Sequence, residues 1–217
     1  GAAGIAVTAT PASPPAVVLA LETATPVCAA AIVDGQGILA ASALQVGLRH
    51  SVVLFAQIQQ LLAAARLALE DVTHVAVSIG PGSFTGLRIG LSAAKGLCLP
   101  DRKPLVAVPT LAALAARVPA ARAPVCAVVD ARKGELYAAL YDTASGWPVE
   151  LVPARAVAAA QLLRERAGQP TVFAGPGVDV CPASVWSQDL ALLAAPPDCR
   201  RADAAAVGQL ALHGLAV

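Results

Sequence analysis

The spacing of apolar residues predicts strands and helices that alternate along the chain. Short apolar runs with β-branched residues predict strands, and apolar positions three and four residues apart predict helices. The predicted strands cover residues 16–21, 28–33, 37–44, 72–79, 104–108, 124–129, 135–141 and 171–174. The predicted helices cover residues 50–65, 87–99, 110–117 with Thr110 as its cap, 156–166 and a final helix from a cap at Asp203 to about 213. This order predicts an α/β fold.

One arrangement occurs twice along the chain. The strand over 16–21 ends at Glu22 and leads through a turn into another strand, and the strand over 124–129 ends at Asp130 and does the same. The repetition predicts two related α/β lobes rather than one continuous sheet. We therefore divide the chain into a disordered extension over residues 1–15, a first lobe over 16–109 and a second lobe over 110–217.

The segment GPGSFTG joins a predicted strand to a predicted helix. Gly80 and Gly82 on either side of Pro81 favour a tight reversal of the backbone, and Ser83 or Thr85 is expected to cap the helix. A glycine-rich turn before a helix binds phosphate through free N–H groups. The segment matches neither GxxxxGK[ST] nor GxGxxG, so a turn followed by a packing helix remains the alternative.

Small residues form a stripe along the helix that follows this turn. Gly86, Gly90 and Ala93 or Ala94 lie one helical turn apart. Glycine inside a helix costs about 1 kcal/mol relative to alanine, so the stripe predicts a close approach by another stretch of backbone. The opposite, mildly basic face carries Arg88, Ser92 and Lys95.

The helix predicted over residues 50–65 contains no Asp, Glu, Lys or Arg. One side is expected to face the core, and it carries Leu54, Phe55, Ile58, Leu61 and Leu62. The other side carries Val53, Ala56, Gln57, Gln60, Ala63 and Ala64. Helices that face water normally carry charges, so this second side is either a subunit interface or covered by another layer of the same chain.

Composition narrows the classes of function. The net charge of +1 predicts no strong attraction to nucleic acid by this chain alone. The five cysteines form no CxxC pair and are expected to be reduced thiols of a cytoplasmic protein. His50 is followed one turn later by Leu54 rather than by a second histidine, so no helical metal site is expected. The prolines near the N-terminus interrupt its uncharged stretch, and no membrane span is expected.

Five segments follow one another along the chain: LALETATPVCAAAIVDG, a helix that begins RHS, GPGSFTGLRIGLSAAKGL, VPTLAALA and VVDARKGELYAALYD. In order and spacing they resemble the TsaB family, and together they span roughly residues 17–211. That family is the non-catalytic dimerisation subunit of the bacterial machinery that makes threonylcarbamoyladenosine in tRNA. The resemblance implies a two-lobed, actin-like ATPase fold of the RNase H-like type with a degenerate nucleotide site.

The resemblance also implies partners. These are the catalytic subunit TsaD, which would bind the first-lobe helices, and the ATP-binding subunit TsaE. The chain alone is expected to form a homodimer, and tRNA is expected to be reached only through the complex. The resemblance implies no catalytic residue and no cofactor in this chain, with ATP used by the partner complex.

Two groups of residues follow from these interpretations. The expected partner interface comprises Val53, Gln57, Gln60, Ala64, Arg88, Leu91, Ser92 and Lys95. The expected vestigial nucleotide site comprises Glu22, Thr23, Gly80, Gly82, Asp130, Gly175 and Gly177. The alternative is an enzyme of the actin-like ATPase superfamily: a small-molecule kinase, which the glycine turn, Glu22 and Asp130 favour, or a metallopeptidase-like enzyme. TsaD carries an HxxxH motif on the corresponding helix, and this chain does not.

Overall fold

In the computed structural model, residues 15–45 and 50–216 are described, and they form two five-stranded sheets with helices. Of the predicted N-terminal extension only Pro15 lies within these ranges. Residues 46–49, which include the first residue of the RHS motif, also lie outside them. None of the described helices is both long and apolar enough to cross a membrane.

The first sheet consists of β1 (Val18–Glu22), β2 (Val27–Asp34), β3 (Gly37–Gln45), β4 (His74–Ser78) and β5 (Leu105–Val108). Its strand order is β3-β2-β1-β4-β5. Strand β1 pairs antiparallel with β2 and parallel with β4. Every residue of β1 is buried, which explains its continuous apolar run.

The second sheet consists of β6 (Val125–Arg132), β7 (Glu135–Asp142), β8 (Val149–Ala158), β9 (Thr171–Ala174) and β10 (Leu192–Ala194). It repeats the arrangement of the first, with the order β8-β7-β6-β9-β10. Strand β6 pairs antiparallel with β7 and parallel with β9, as β1 does with β2 and β4. The two sheets therefore share one topology, in agreement with the repeated sequence pattern.

The described helices are α1 (His50–Ala65), α2 (Phe84–Cys98), α3 (Thr110–Ala115), α4 (Ala159–Arg166), α5 (Val185–Gln188) and α6 (Ala204–Ala216). Helices cover both faces of the first sheet. Helices α1 and α2 pack on the face of Leu19 and Leu21, and α6 packs on the face of Val18 and Ala20. Helix α3 packs on the second sheet through Leu111 and also contacts α6.

Strands β8 and β10 and helix α5 were not predicted, and α2 begins at Phe84 rather than at residue 87. Three other predicted helices also differ from the structure. The predicted helix over 156–166 begins only at Ala159, because the residues before it belong to β8, an exposed edge strand without strong alternation. Thr110 is the first residue of α3 rather than its cap, and its hydroxyl accepts a hydrogen bond from the Gly80 N–H instead. Helix α6 falls in the predicted second lobe but packs against the first sheet, because its alanine-rich face fits closely on β1 and β2.

Candidate functional site

The turn after β1 and the start of α2 are packed backbone against backbone. A Cβ atom added to Gly86 would lie 2.0 Å from the Thr23 carbonyl oxygen, and one added to Gly82 would lie 2.3 Å from the Ala24 carbonyl oxygen. A Cβ on Gly90 would lie 2.2 Å from the Thr23 hydroxyl oxygen. The stripe of small residues therefore serves the close approach that the sequence predicts.

Hydrogen bonds fasten the same two segments together. The Thr23 hydroxyl donates to the Gly86 carbonyl oxygen at 2.8 Å, and the Ser83 N–H donates to the Ala24 carbonyl oxygen at 2.7 Å. The Ser83 side chain accepts from the Gly86 N–H, so Ser83 caps α2. These polar groups of the turn after β1 and of the α2 N-terminus are therefore already hydrogen-bonded within the chain.

Glu22 ends β1 as a fully buried carboxyl group. Its Oε1 accepts a hydrogen bond from the Ala24 N–H at 2.7 Å. Since Leu21 pairs with Val77 in the sheet, Glu22 lies beside Ser78 on β4. Burial raises the pKa of Glu22 to about 7, and the neighbouring Ser78 and Ala24 lower it by less. The carboxyl group therefore titrates near neutral pH.

The second-lobe residues of the expected nucleotide site gather around β6. A Cβ added to Gly175 would lie 2.3 Å from the Val128 carbonyl oxygen, and one added to Gly177 would lie 2.8 Å from the Val128 carbonyl carbon. Asp130 lies two residues further along β6, partly exposed, and its Oδ1 accepts from the Arg132 N–H. This GPG segment therefore packs on a strand, as the first one packs on the turn after β1.

Several polar groups that could bind a phosphate at this turn are already hydrogen-bonded within the chain. A phosphate at a helix N-terminus is bound by free N–H groups, and here the Gly86 N–H is bonded to Ser83. The Thr23 hydroxyl is bonded to Gly86. The Gly80 N–H donates to the Thr110 hydroxyl, and the Gly80 carbonyl oxygen accepts from the Thr110 N–H. Residues 15–45 and 50–216 contain no cluster of three or more His, Cys, Asp or Glu side chains that suits a metal ion.

Two residues of α1 were assigned to the wrong side of the helix. Gln57 was expected at the partner interface but is buried, since its side-chain amide donates to the Cys28 carbonyl oxygen and the Ser42 hydroxyl. Phe55 was expected in the core but is 52% exposed. Of the other predicted interface residues on α1, Gln60 and Ala64 are exposed and Val53 is half-buried.

An uncharged face of α1 is therefore open to solvent, shifted around the helix from the predicted one. We call it the α1 face, and its residues are Val52, Phe55, Ala56, Gln59, Gln60 and Ala63. Sequence reasoning missed Val52, Phe55 and Gln59, although their spacing of three and four residues marks them as one helical face. Val52 and Phe55 are its large apolar residues.

A groove separates the α1 face from α2. It has a volume of about 410 Å³ and is lined by Phe55, Arg88 and Ser92, among others. The Arg88 guanidinium also lies over the exposed Phe84 ring, 5.2 Å from its centroid. Arg88, Ser92 and Lys95 are exposed as predicted, whereas Leu91 is half-buried and packs against the core.

Comparison with known proteins places the chain in a family. The profile described as "TsaD: tRNA N6-adenosine threonylcarbamoyltransferase" matches residues 44–147. The tRNA threonylcarbamoyladenosine biosynthesis protein TsaB of Bacillus subtilis is 30% identical over 161 residues, which are 73% of this chain and 70% of that protein. The chain belongs to the TsaB family. The Escherichia coli TsaB is 36% identical over 58% of this chain and 54% of its own length.

Solved structures share the fold of this chain. YeaZ from Pseudomonas aeruginosa superposes with a TM-score of 0.73 at 27% identity, covering 93% of this chain and 92% of that one. The ROK hexokinase of Thermus thermophilus, at 12% identity and a TM-score of 0.50, covers 93% of this chain and shares the fold alone. The fold is therefore the two-lobed α/β fold of the actin-like ATPases, as the resemblance to the TsaB family implies.

Proposed function

We propose that this TsaB family member acts in tRNA threonylcarbamoyladenosine biosynthesis as a non-catalytic subunit that binds and stabilises a TsaD-type threonylcarbamoyl transferase. The observation that carries the proposal is the α1 face. Val52 is 74% exposed and Phe55 52% exposed on a helix side without a charged residue. A solvent-facing helix with such a surface is typical of a protein interface.

The chemistry of the surroundings suggests how the partner binds. Phe55 is a large aromatic side chain beside a groove, the arrangement expected of an interface residue that contributes much of the binding energy. Arg88 and Lys95 are exposed on the adjacent helix and add positive charge at the rim. The partner is therefore expected to present an apolar helix face with acidic residues at its edge.

The proposal includes further partners and a homodimer. In the absence of the transferase, two copies bury their α1 faces against each other as a homodimer. A TsaE-type ATPase joins the assembled complex, and tRNA is contacted through the complex in the cytoplasm. The chain itself needs no cofactor, since ATP is used by the partner complex.

A pair of matched variants tests the interface. Phe55→Arg places a charge on the α1 face, and Leu190→Arg places one at an equally apolar, 84% exposed position of the second lobe. Each variant is co-expressed with a tagged TsaD-type transferase from the same source, and recovery of the complex and self-association are measured. Phe55→Arg is expected to lose both, and Leu190→Arg is expected to keep both. Assembly that survives Phe55→Arg contradicts the proposal.

The kinase alternative makes a separate prediction. A kinase binds ATP with Mg²⁺ as a single chain, whereas a scaffold subunit does not require it. Calorimetric titration of the purified chain with ATP and Mg²⁺ is therefore expected to give no binding heat. Micromolar binding of ATP by the single chain would favour a kinase.

A further inference from the structure

Helix α6 contacts elements that belong to the second half of the fold at both of its ends. Its apolar face packs on the first sheet, where Ala204 and Val207 share a core with β1 and β2. About 15 Å separates Asp203 from His213 at the 1.5 Å rise per residue of a helix. Each of these two residues contacts a different segment on the side of the second sheet.

At the N-terminal end, Asp203 forms an ion pair with Arg117, which follows α3. Arg117 also donates to the Asp198 carbonyl oxygen at 2.9 Å, in the segment after β10. The other carboxyl oxygen of Asp203 accepts from the Ala205 N–H, so Asp203 caps α6 as well. One side chain therefore starts the helix and holds it to α3.

At the C-terminal end, the His213 ring stacks on Trp147, from the loop between β7 and β8. The ring centroids are 4.2 Å apart and the planes differ by 8°. The loop is held from its other end by Thr143, whose hydroxyl donates to the Val118 carbonyl oxygen at 2.7 Å and whose carbonyl oxygen accepts from the Ala120 N–H. Trp147 thus ties an anchored loop of the second lobe to a helix of the first sheet.

We propose that α6 is a clamp between the lobes and that the Arg117–Asp203 pair and the Trp147–His213 stack together hold the two sheets in one orientation. Two contacts about 15 Å apart along one rigid helix resist rotation of the lobes more than either contact alone. Rotation of lobes about a hinge is the usual motion of two-lobed ligand-binding proteins, and the clamp opposes it. This inference concerns the lobes and does not depend on the proposed partner.

Hydrogen exchange measured by mass spectrometry on the full chain tests the clamp. Asp203→Asn keeps a capping side chain while removing the charge, and His213→Ala removes the stacked ring. The double variant is expected to exchange at least tenfold faster than wild type in residues 110–118 and 143–148, and each single variant less. Trp186→Phe is the matched control, because Trp186 packs on Phe173 within the second lobe. It is expected to leave both segments unchanged.

Variants of the exposed loop decide the question if the double variant fails to fold. Trp147→Ala is expected to raise exchange in residues 143–148 and in the last turn of α6, and Trp147→Phe, which keeps an aromatic face, to restore protection. Both leave α6 itself unaltered. Exchange in Trp147→Ala that equals wild type in both segments overturns the clamp.

Discussion

The Thr23 hydroxyl donates a hydrogen bond to the Gly86 carbonyl oxygen at 2.8 Å, across 63 residues of sequence. At the same point the Thr23 carbonyl oxygen occupies the position that a Gly86 side chain would need, 2.0 Å from its Cβ. The end of β1 and the start of α2 are therefore one packed unit. The glycines at the start of α2 allow this close packing, and replacing them shows how much the packing stabilises the fold.

Gly86→Ala is expected to lower the free energy of unfolding by about 2–4 kcal/mol, because the added methyl group meets fixed backbone rather than a side chain that can move. Gly96→Ala on the same helix is the control, since no atom lies within 4 Å of its added Cβ. That variant should be neutral or more stable by up to about 1 kcal/mol. Urea denaturation measures both, and equal effects would contradict the packing argument.

The second GPG segment gives a parallel test. Gly175 and Gly168 both have positive φ angles, of 102° and 68°, so alanine at either position carries a conformational cost. Only Gly175 faces a close atom, the Val128 carbonyl oxygen at 2.3 Å from the added Cβ. Gly175→Ala is therefore expected to be less stable than Gly168→Ala by about 2 kcal/mol in thermal or urea unfolding. A difference near zero would show that the strand contact contributes nothing.

Gln57 and Gln60 lie on the same helix and separate stability from partner binding. Gln57→Ala removes buried hydrogen bonds to Cys28 and Ser42 and is expected to cost about 1–3 kcal/mol of unfolding free energy. Gln60→Ala is exposed and is expected to change stability by less than about 0.5 kcal/mol. Chemical denaturation of the two variants gives the comparison. Equal losses would mean that the Gln57 hydrogen bonds do not stabilise the fold.

Glu22 predicts a pH dependence of stability. Its pKa rises from 4.5 to about 7 through burial, so between these values the folded chain binds more protons than the unfolded chain. The free energy of unfolding should therefore fall as pH increases through this window, by about 3 kcal/mol in total from this group. Glu22→Gln keeps the acceptor for the Ala24 N–H and should remove this contribution. Denaturation at pH 5, 6, 7 and 8 measures it.

The exposed Glu70 supplies the control for this experiment. Glu70→Gln removes one carboxyl group without burial and should retain the slope of wild type. At pH 8 the Glu22→Gln variant should be more stable than wild type, since it avoids a buried charge. If the free energy of unfolding of Glu22→Gln changes with pH as it does in wild type, Glu22 is not the source of the pH dependence.

Helix α1 shows where local reasoning succeeded and where it failed. Its limits, residues 50–65, agree with the pattern, because helical periodicity acts within a few residues. The prediction of its buried face was wrong at Phe55 and Gln57, because apolar character alone assigned Phe55 to the core and Gln57 to the surface. The amide of Gln57 is buried since β2 and β3 offer it acceptors, which no local pattern indicates.

The sequence by itself determined the α/β class, the two related halves, the helix cap among Ser83 and Thr85, and the family. These features depend on turn chemistry, periodicity and motifs within short stretches. Tertiary structure alone decided that α6 joins the first sheet, that β8 is an edge strand, and which side of α1 meets solvent. Those outcomes depend on contacts between residues far apart in the chain, whose energies no local pattern contains.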